Sequence, residues 1–138
     1  DVAVLKLTSA LEGTNIQTID LYLSPLNPGS RIQVSGWGET ESGQQSQILR
    51  TVQVEVEARA VCQRKFGKLG IPITDHMFCA YIPGVKDACV GDSGGPAVFE
   101  NKLCGVVSMG ADCANNYFPG VYAEINAAYS FIQRVIYN

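Results

Sequence analysis

The sequence predicts an all-β domain closed by a single C-terminal helix, on three observations. Val52, Val54 and Val56 alternate with Gln53, Glu55 and Glu57, the period of two expected of a strand with one face in a core and the other in water. Short apolar runs of similar kind recur along the chain between clusters of Gly, Pro and polar residues, at a spacing that fits a barrel or a sandwich. Near the C-terminus the period changes, and Ala128, Phe131, Ile132, Val135 and Ile136 fall at helical spacing.

In chain order, strands are expected at residues 2–7, 31–37, 52–57, 77–80, 96–100, 102–107 and 120–125, where β-branched and aromatic residues concentrate. Turn chemistry separates them. Residues 25–29 hold Pro25, Pro28 and Gly29, residues 38–47 are polar, and residues 67–72 hold Gly67, Gly70 and Pro72. Asn126 stands where an N-cap would start the last helix, whose apolar face would pack on the barrel. No internal repeat or low-complexity stretch interrupts the pattern.

With 138 residues, of which 46% are hydrophobic, the chain can bury one core. A net charge of −3 leaves no basic footprint for nucleic acid. No apolar run approaches the ~20 residues of a membrane span, so neither nucleic acid nor membrane is expected as a partner. No signal peptide heads the chain, whose start at Asp1 reads as an interior cut. Five cysteines suit an oxidising, extracellular setting and leave one unpaired. A metal site is not expected, because there is one histidine and no Cys-x-x-Cys pair; no cofactor is expected either. Arg64, Lys65 and Lys68 read as a solvated loop face.

The chemistry concentrates at Gly91-Asp92-Ser93-Gly94-Gly95-Pro96. Glycines let the backbone bend sharply and let a carbonyl approach main-chain N–H groups that stabilise a developing oxyanion. Ser93 is the candidate nucleophile, set against the plainer reading of a glycine-rich surface turn. A serine hydroxyl needs an imidazole to take its proton and a carboxylate to orient that imidazole. His76, the single histidine, sits in a Thr74-Asp75-His76-Met77 context that reads as a loop. An α/β-hydrolase elbow requires a histidine after the serine, and none follows Ser93. Asp1, His76 and Ser93 occur in the subtilisin order, but Gly94-Gly95-Pro96 is a poor helix start for that fold.

The hexapeptide and its flanks, Asp87-Ala88-Cys89-Val90 before it and Ala97-Val98-Phe99 after it, resemble the C-terminal half of a chymotrypsin-fold serine protease of the trypsin subgroup. Val106 to Gly110, Pro119-Gly120-Val121-Tyr122, Ser35-Gly36-Trp37-Gly38 and the opening Asp1-Val2-Ala3-Val4-Leu5-Lys6-Leu7 carry the same resemblance, in the family's order, over the whole chain. It implies an antiparallel Greek-key β-barrel, the second of two, with a C-terminal α-helix. Residues 1–25 would be the last strand of a first barrel and a linker, residues 26–125 the second barrel, and residues 126–138 the helix. The N-terminal half of the peptidase domain, with the histidine, would lie upstream of Asp1.

Carried over residue by residue, the resemblance makes Ser93 the nucleophile, Asp1 the carboxylate orienting the histidine, and the N–H groups of Gly91 and Ser93 the oxyanion hole. Asp92 would pair with an N-terminus freed by activation cleavage. Ser108, Met109 and Gly110 would pair with substrate backbone, and Ser108 would hydrogen-bond Asp1. Asp87 would lie at the base of the specificity pocket, between walls at Gly110 and Gly120, and select Arg or Lys. Met109 stands where tryptophan is common, and Asp112 where glycine is usual. The resemblance also pairs Cys62 with Cys79 and Cys89 with Cys113. A third family bridge is replaced by Ile32 and Phe99, and Cys104 is left as a buried small hydrophobe. The expected activity is serine endopeptidase, acting on polypeptide substrates and met by protease inhibitors. A non-catalytic homologue acting as a binding or regulatory module is the alternative, which a missing Thr-Ala-Ala-His-Cys-like segment upstream would favour.

Overall fold

The computed structural model describes every residue except Glu41, Lys86, Asp112, Ala114 and Asn138; the expectation for Asp112 lies outside the described residues. The elements run β1 (Asp20–Leu21), β2 (Arg31–Gly36), β3 (Arg50–Glu57), α1 (Arg59–Gly67), β4 (Met77–Tyr81), β5 (Pro96–Phe99), β6 (Lys102–Met109), β7 (Gly120–Glu124) and α2 (Ile125–Tyr137). Strands β2 to β7 close into a six-stranded antiparallel barrel in the ring order β6-β5-β2-β3-β4-β7, with β7 returning to β6. Closure leaves no unpaired edge among these strands. Strand β1 adds to β6 in parallel, Asp20 beside Lys102.

The period of two in the sequence becomes the inside and outside of the barrel. Ile32, Val34, Val54 and Val56 are buried, while Arg31 and Gln33, on either side of Ile32, face solvent. Burying each of these aliphatic side chains is worth ~1.5–3 kcal/mol. Phe78 stacks on Tyr122 with ring centroids 5.0 Å apart in the barrel interior. Gly105 makes room for that stack, since a Cβ there would meet the Phe78 ring at 2.5 Å. On β4, Phe78 and Ala80 join the interior while Cys79 joins a second cluster with Cys62, Phe66, Ile73 and Val121. The Cys62–Cys79 disulfide fastens α1 to the outside of β4.

Four expectations need correction. Residues 2–7 form no strand: Val2 and Val4 are half-buried and Ala3 and Leu5 exposed, so the alternation survives without a neighbouring chain to supply a ladder. Arg64 and Lys65, expected on a loop face, lie in α1, which buries only Cys62 and Phe66, one turn apart. With no capping side chain at Ala58 and no acid in the first turn, this helix depends on its tertiary anchors rather than on local signals. Lys65, expected on a solvated face, is enclosed there, its side chain 12% exposed. Finally, β7 passes into α2 without a loop, so Asn126 lies inside the helix rather than capping it. Ile125 and Ile132 of α2 are buried, whereas Phe131 and Ile136 of the expected face remain exposed. No helix among the described residues is long and apolar enough to cross a membrane.

Candidate active site

The segment 89–96 is bent by backbone requirements that its glycines meet. Gly91 (φ 94°) and Gly94 (φ 82°) occupy left-handed conformations, cheap only without a Cβ. Asp92 N–H donates to Cys89 O at 3.0 Å and Gly95 N–H to Asp92 O at 2.8 Å, folding two successive turns. The bend is fixed to β6, where Gly94 N–H donates to Val107 O at 2.8 Å and Val107 N–H to Gly95 O at 3.0 Å. The Cys89–Cys113 disulfide ties it to the following loop. Ser93 is left exposed at the apex. The N–H groups of Gly91 and Ser93 make no hydrogen bond among the described residues, so both can donate to an incoming oxygen.

Asp92 points away from Ser93's opening. Its carboxylate accepts from Cys89 N–H at 3.0 Å and from Gly38 N–H at 2.8 Å. It fits only because Gly36 and Gly38 are glycines: Cβ atoms there would lie 2.0 and 2.5 Å from Asp92 carboxylate atoms. Sequence reasoning read these two glycines only as a landmark, since nothing local requires them and the constraint comes from a side chain more than fifty positions away.

Two cavities flank the loop. Ser93 opens onto one of 400 Å³, lined also by Gly91, Val107, Met109, Gly110 and Gly120. A Cβ at Gly110 would meet nothing within 4 Å, so it would project into open space. The second cavity, of 330 Å³, holds both Asp87 and Asp92 with Gly38, Thr40 and Arg50 on its walls. Asp87 thus faces the Asp92 cavity, yet it touches the wall of Ser93's: a Cβ on Gly120 would lie 2.5 Å from Asp87 Oδ1, which accepts from Ala88 N–H at 2.8 Å. In the core, burial and then the negative charges of Asp87 and Asp92 push the Tyr122 hydroxyl's pKa upward.

Asp1 meets β6 where Ser108 Oγ donates to its Oδ2 at 2.7 Å, the bond expected from the sequence. The β6–β7 register shifts between Val107 and Met109; such an irregularity re-aims the side chain within it. His76 does not share Ser93's cavity. Its exposed ring lines a third one with Asp1, Glu124 and Arg134. Both expected disulfides form, and Cys104 is a buried free thiol whose Sγ donates to Ala97 O at 3.2 Å. Burial pushes its pKa up to about 12. The described residues contain no group of His, Cys, Asp and Glu able to hold a metal ion.

Comparison with known proteins gives these arrangements relatives. Residues 1–132 match the family described as Trypsin. Seminase of Drosophila melanogaster is 42% identical over 138 residues, covering 99% of this chain and 50% of its own length. Trypsin alpha-3 of Lucilia cuprina is 44% identical over 134 residues, covering 96% of this chain and 81% of its own. The structure of neuropsin, a serine protease of mouse brain, superposes with a TM-score of 0.83 at 29% identity, over 92% of this chain and 57% of that one. The chain spans about half the length of several curated relatives that it matches.

Proposed function

The chain belongs to the trypsin family of serine proteases, and on that premise we propose that it carries the nucleophile and the specificity pocket of a secreted endopeptidase that cleaves after Arg or Lys. The observation that carries this reading is Ser93 at the apex of the bend fixed by Gly91 and Gly94, opening onto a cavity walled by Gly110 and Gly120 with Asp87 against that wall. Ser93 Oγ attacks the substrate carbonyl as an imidazole takes its proton, and the Gly91 and Ser93 N–H groups receive the oxyanion. Collapse of the tetrahedral species returns the proton to the leaving amine and leaves an acyl-serine, which water hydrolyses. Asp1 orients the imidazole, itself held by Ser108. Because His76 lines a different cavity, the base comes from a histidine outside these 138 residues, in a preceding barrel that residues 1–25 join. Residues 26–125 are then the second barrel and residues 126–138 its closing helix. Two disulfides suit the oxidising extracellular compartment.

Asp92 and Asp87 divide the acidic work in this scheme. An ammonium from an N-terminus freed by cleavage enters the cavity that both line and pairs with Asp92. Asp87 then turns past Gly120 to meet the guanidinium or ammonium of the substrate. Ser108 to Gly110 align with substrate backbone as an added strand, and protein inhibitors occupy the same surface.

The test is kcat/KM on matched Arg, Lys, Leu and Phe substrates for the full-length protein and its Asp87→Ser variant. Losing the partner of a shielded cation costs about 3–5 kcal/mol, so Arg and Lys cleavage is expected to fall by roughly a hundredfold or more while Leu and Phe cleavage holds. Equal losses on all four substrates, or an unchanged preference for Arg, remove Asp87 from this role.

A further inference from the structure

We propose that Lys65, on the outer helix α1, is a positioning residue that holds the segment 117–120 and thereby sets the wall of Ser93's cavity. The proposal rests on the reading of that cavity as a peptidase pocket. Lys65 is one of four cations between Arg59 and Lys68, yet its environment differs from that of a surface lysine. Its side chain is 12% exposed and that of its partner Glu57 is 16% exposed. Three parts of the fold converge on its ammonium. Glu57, at the end of β3, accepts a hydrogen bond from Nζ. Tyr81, at the end of β4, accepts a second at 2.8 Å and presents its ring with the centroid 4.9 Å away. Tyr117, in the loop before β7, lies with its ring centroid 5.4 Å away.

The contacts then run toward the cavity. Tyr81 passes its own hydroxyl proton onward, donating to Tyr117 O at 3.4 Å. Lys68 Nζ stands 4.8 Å from the Tyr117 ring, which packs edge-on against Phe118, and Phe118 against Phe66 of α1. Asn115 Oδ1 accepts from the N–H groups of Tyr117 and Phe118, at 2.7 and 3.1 Å, and fixes the turn from the other side. Pro119 and Gly120 follow directly, and Gly120 is both a wall of Ser93's cavity and the residue against Asp87. The ammonium therefore links α1, β3 and β4 to a loop whose position fixes the cavity's width. An apolar side chain could fill the space but could not hold two oxygens and two ring faces in fixed directions. Burial works against the charge on Lys65, but its bonds to Glu57 and Tyr81 prevail and hold its pKa above the ordinary value. The tether is charged throughout the neutral range.

The experiment compares Lys65→Met, Lys65→Arg and the double variant Glu57→Leu/Lys65→Met, the last leaving no carboxylate orphaned. Hydrogen exchange of residues 115–118 is followed in each, and kcat and KM on an arginyl peptide are measured in the full-length protein. Lys65→Met and the double variant are expected to speed exchange in 115–118 about tenfold while β3, β4 and residues 121–124 of β7 stay protected. They are also expected to raise KM about tenfold with kcat within about twofold. Lys65→Arg, which keeps a cation over Tyr117, is expected within about twofold of the parent in both readouts. Unchanged exchange at 115–118 in a folded Lys65→Met or double variant overturns the proposal, and so does faster exchange with KM unmoved. If exchange quickens but the parent full-length protein never cleaves the arginyl peptide, the tether stands and the peptidase reading is what fails.

Discussion

Gly36 and Gly38 take no part in chemistry, yet Asp92 keeps its two hydrogen bonds only because neither glycine has a side chain. Any displacement of Asp92 passes to Ser93, because its own N–H and C=O close two successive turns, 89–92 and 92–95, the second of which carries Ser93. Gly38→Ala is therefore expected to cost about 1–3 kcal/mol, the range for overfilling a packed site, and to slow labelling of Ser93 by a fluorophosphonate in the full-length protein. Thermal melts and labelling rates check the two effects; a variant with parental values in both would show that Asp92 has room to move. At this scale the sequence was informative about chemistry and mute about fit. The bend at Gly91 and Gly94 and the Ser108–Asp1 hydrogen bond were readable, the first because positive φ calls for glycine and the second through the resemblance. The reason for Gly36 and Gly38 was not, since it depends on where a distant carboxylate comes to rest.

Among elements, the strands were legible and the helices less so. The alternation of Val52, Val54 and Val56 locates β3 because one face meets the core and the other meets water. Helix α1 gives no such signal, having two buried residues in nine and no cap. What holds its start is a charge pair that no local pattern announces. Arg59 Nη2 donates to Glu124 Oε2 at 2.6 Å and Arg59 Nε to Met77 O at 3.0 Å, joining α1 to β4 and to the end of β7. Burial raises the Glu124 pKa above 4.5 and the Arg59 charge opposes that rise. Because the folded pKa is raised, the Glu124 contribution is fully present below pH 4.5 and is lost as pH climbs through the folded value. Arg59→Leu removes the opposing charge and enlarges that loss. The cost is expected to be about 2 kcal/mol at pH 7, below the ~3–5 kcal/mol of a fully buried pair, since Arg59 itself is 40% exposed. It should shrink toward pH 4, where Glu124 takes up a proton. Urea melts at the two pH values measure it, and a cost that grows on acidification would contradict the assignment.

On the scale of the whole molecule, the fold separates Ser93 from the one histidine of these 138 residues. Ser93 opens onto one cavity, while Asp1 and His76 share another. The 138-residue chain by itself is accordingly expected to hydrolyse arginyl esters no faster than its Ser93→Ala variant, in assays at neutral pH with both disulfides formed. Turnover that disappears in the variant would mean that His76 or some other base reaches Ser93. The closed ring of strands is also a statement about time. Its β2–β5 seam sets Gln33 beside Val98 and Val34 beside Ala97, so residues more than sixty positions apart must find each other before the barrel can close. Chains whose pairing is this remote in sequence search longer, typically over milliseconds to seconds rather than microseconds. During that interval Ile32 and Val34, fully enclosed at the end, lie on an unmated strand open to other chains. The arrangement that leaves the finished barrel without an edge thus makes its assembly the stage most exposed to aggregation.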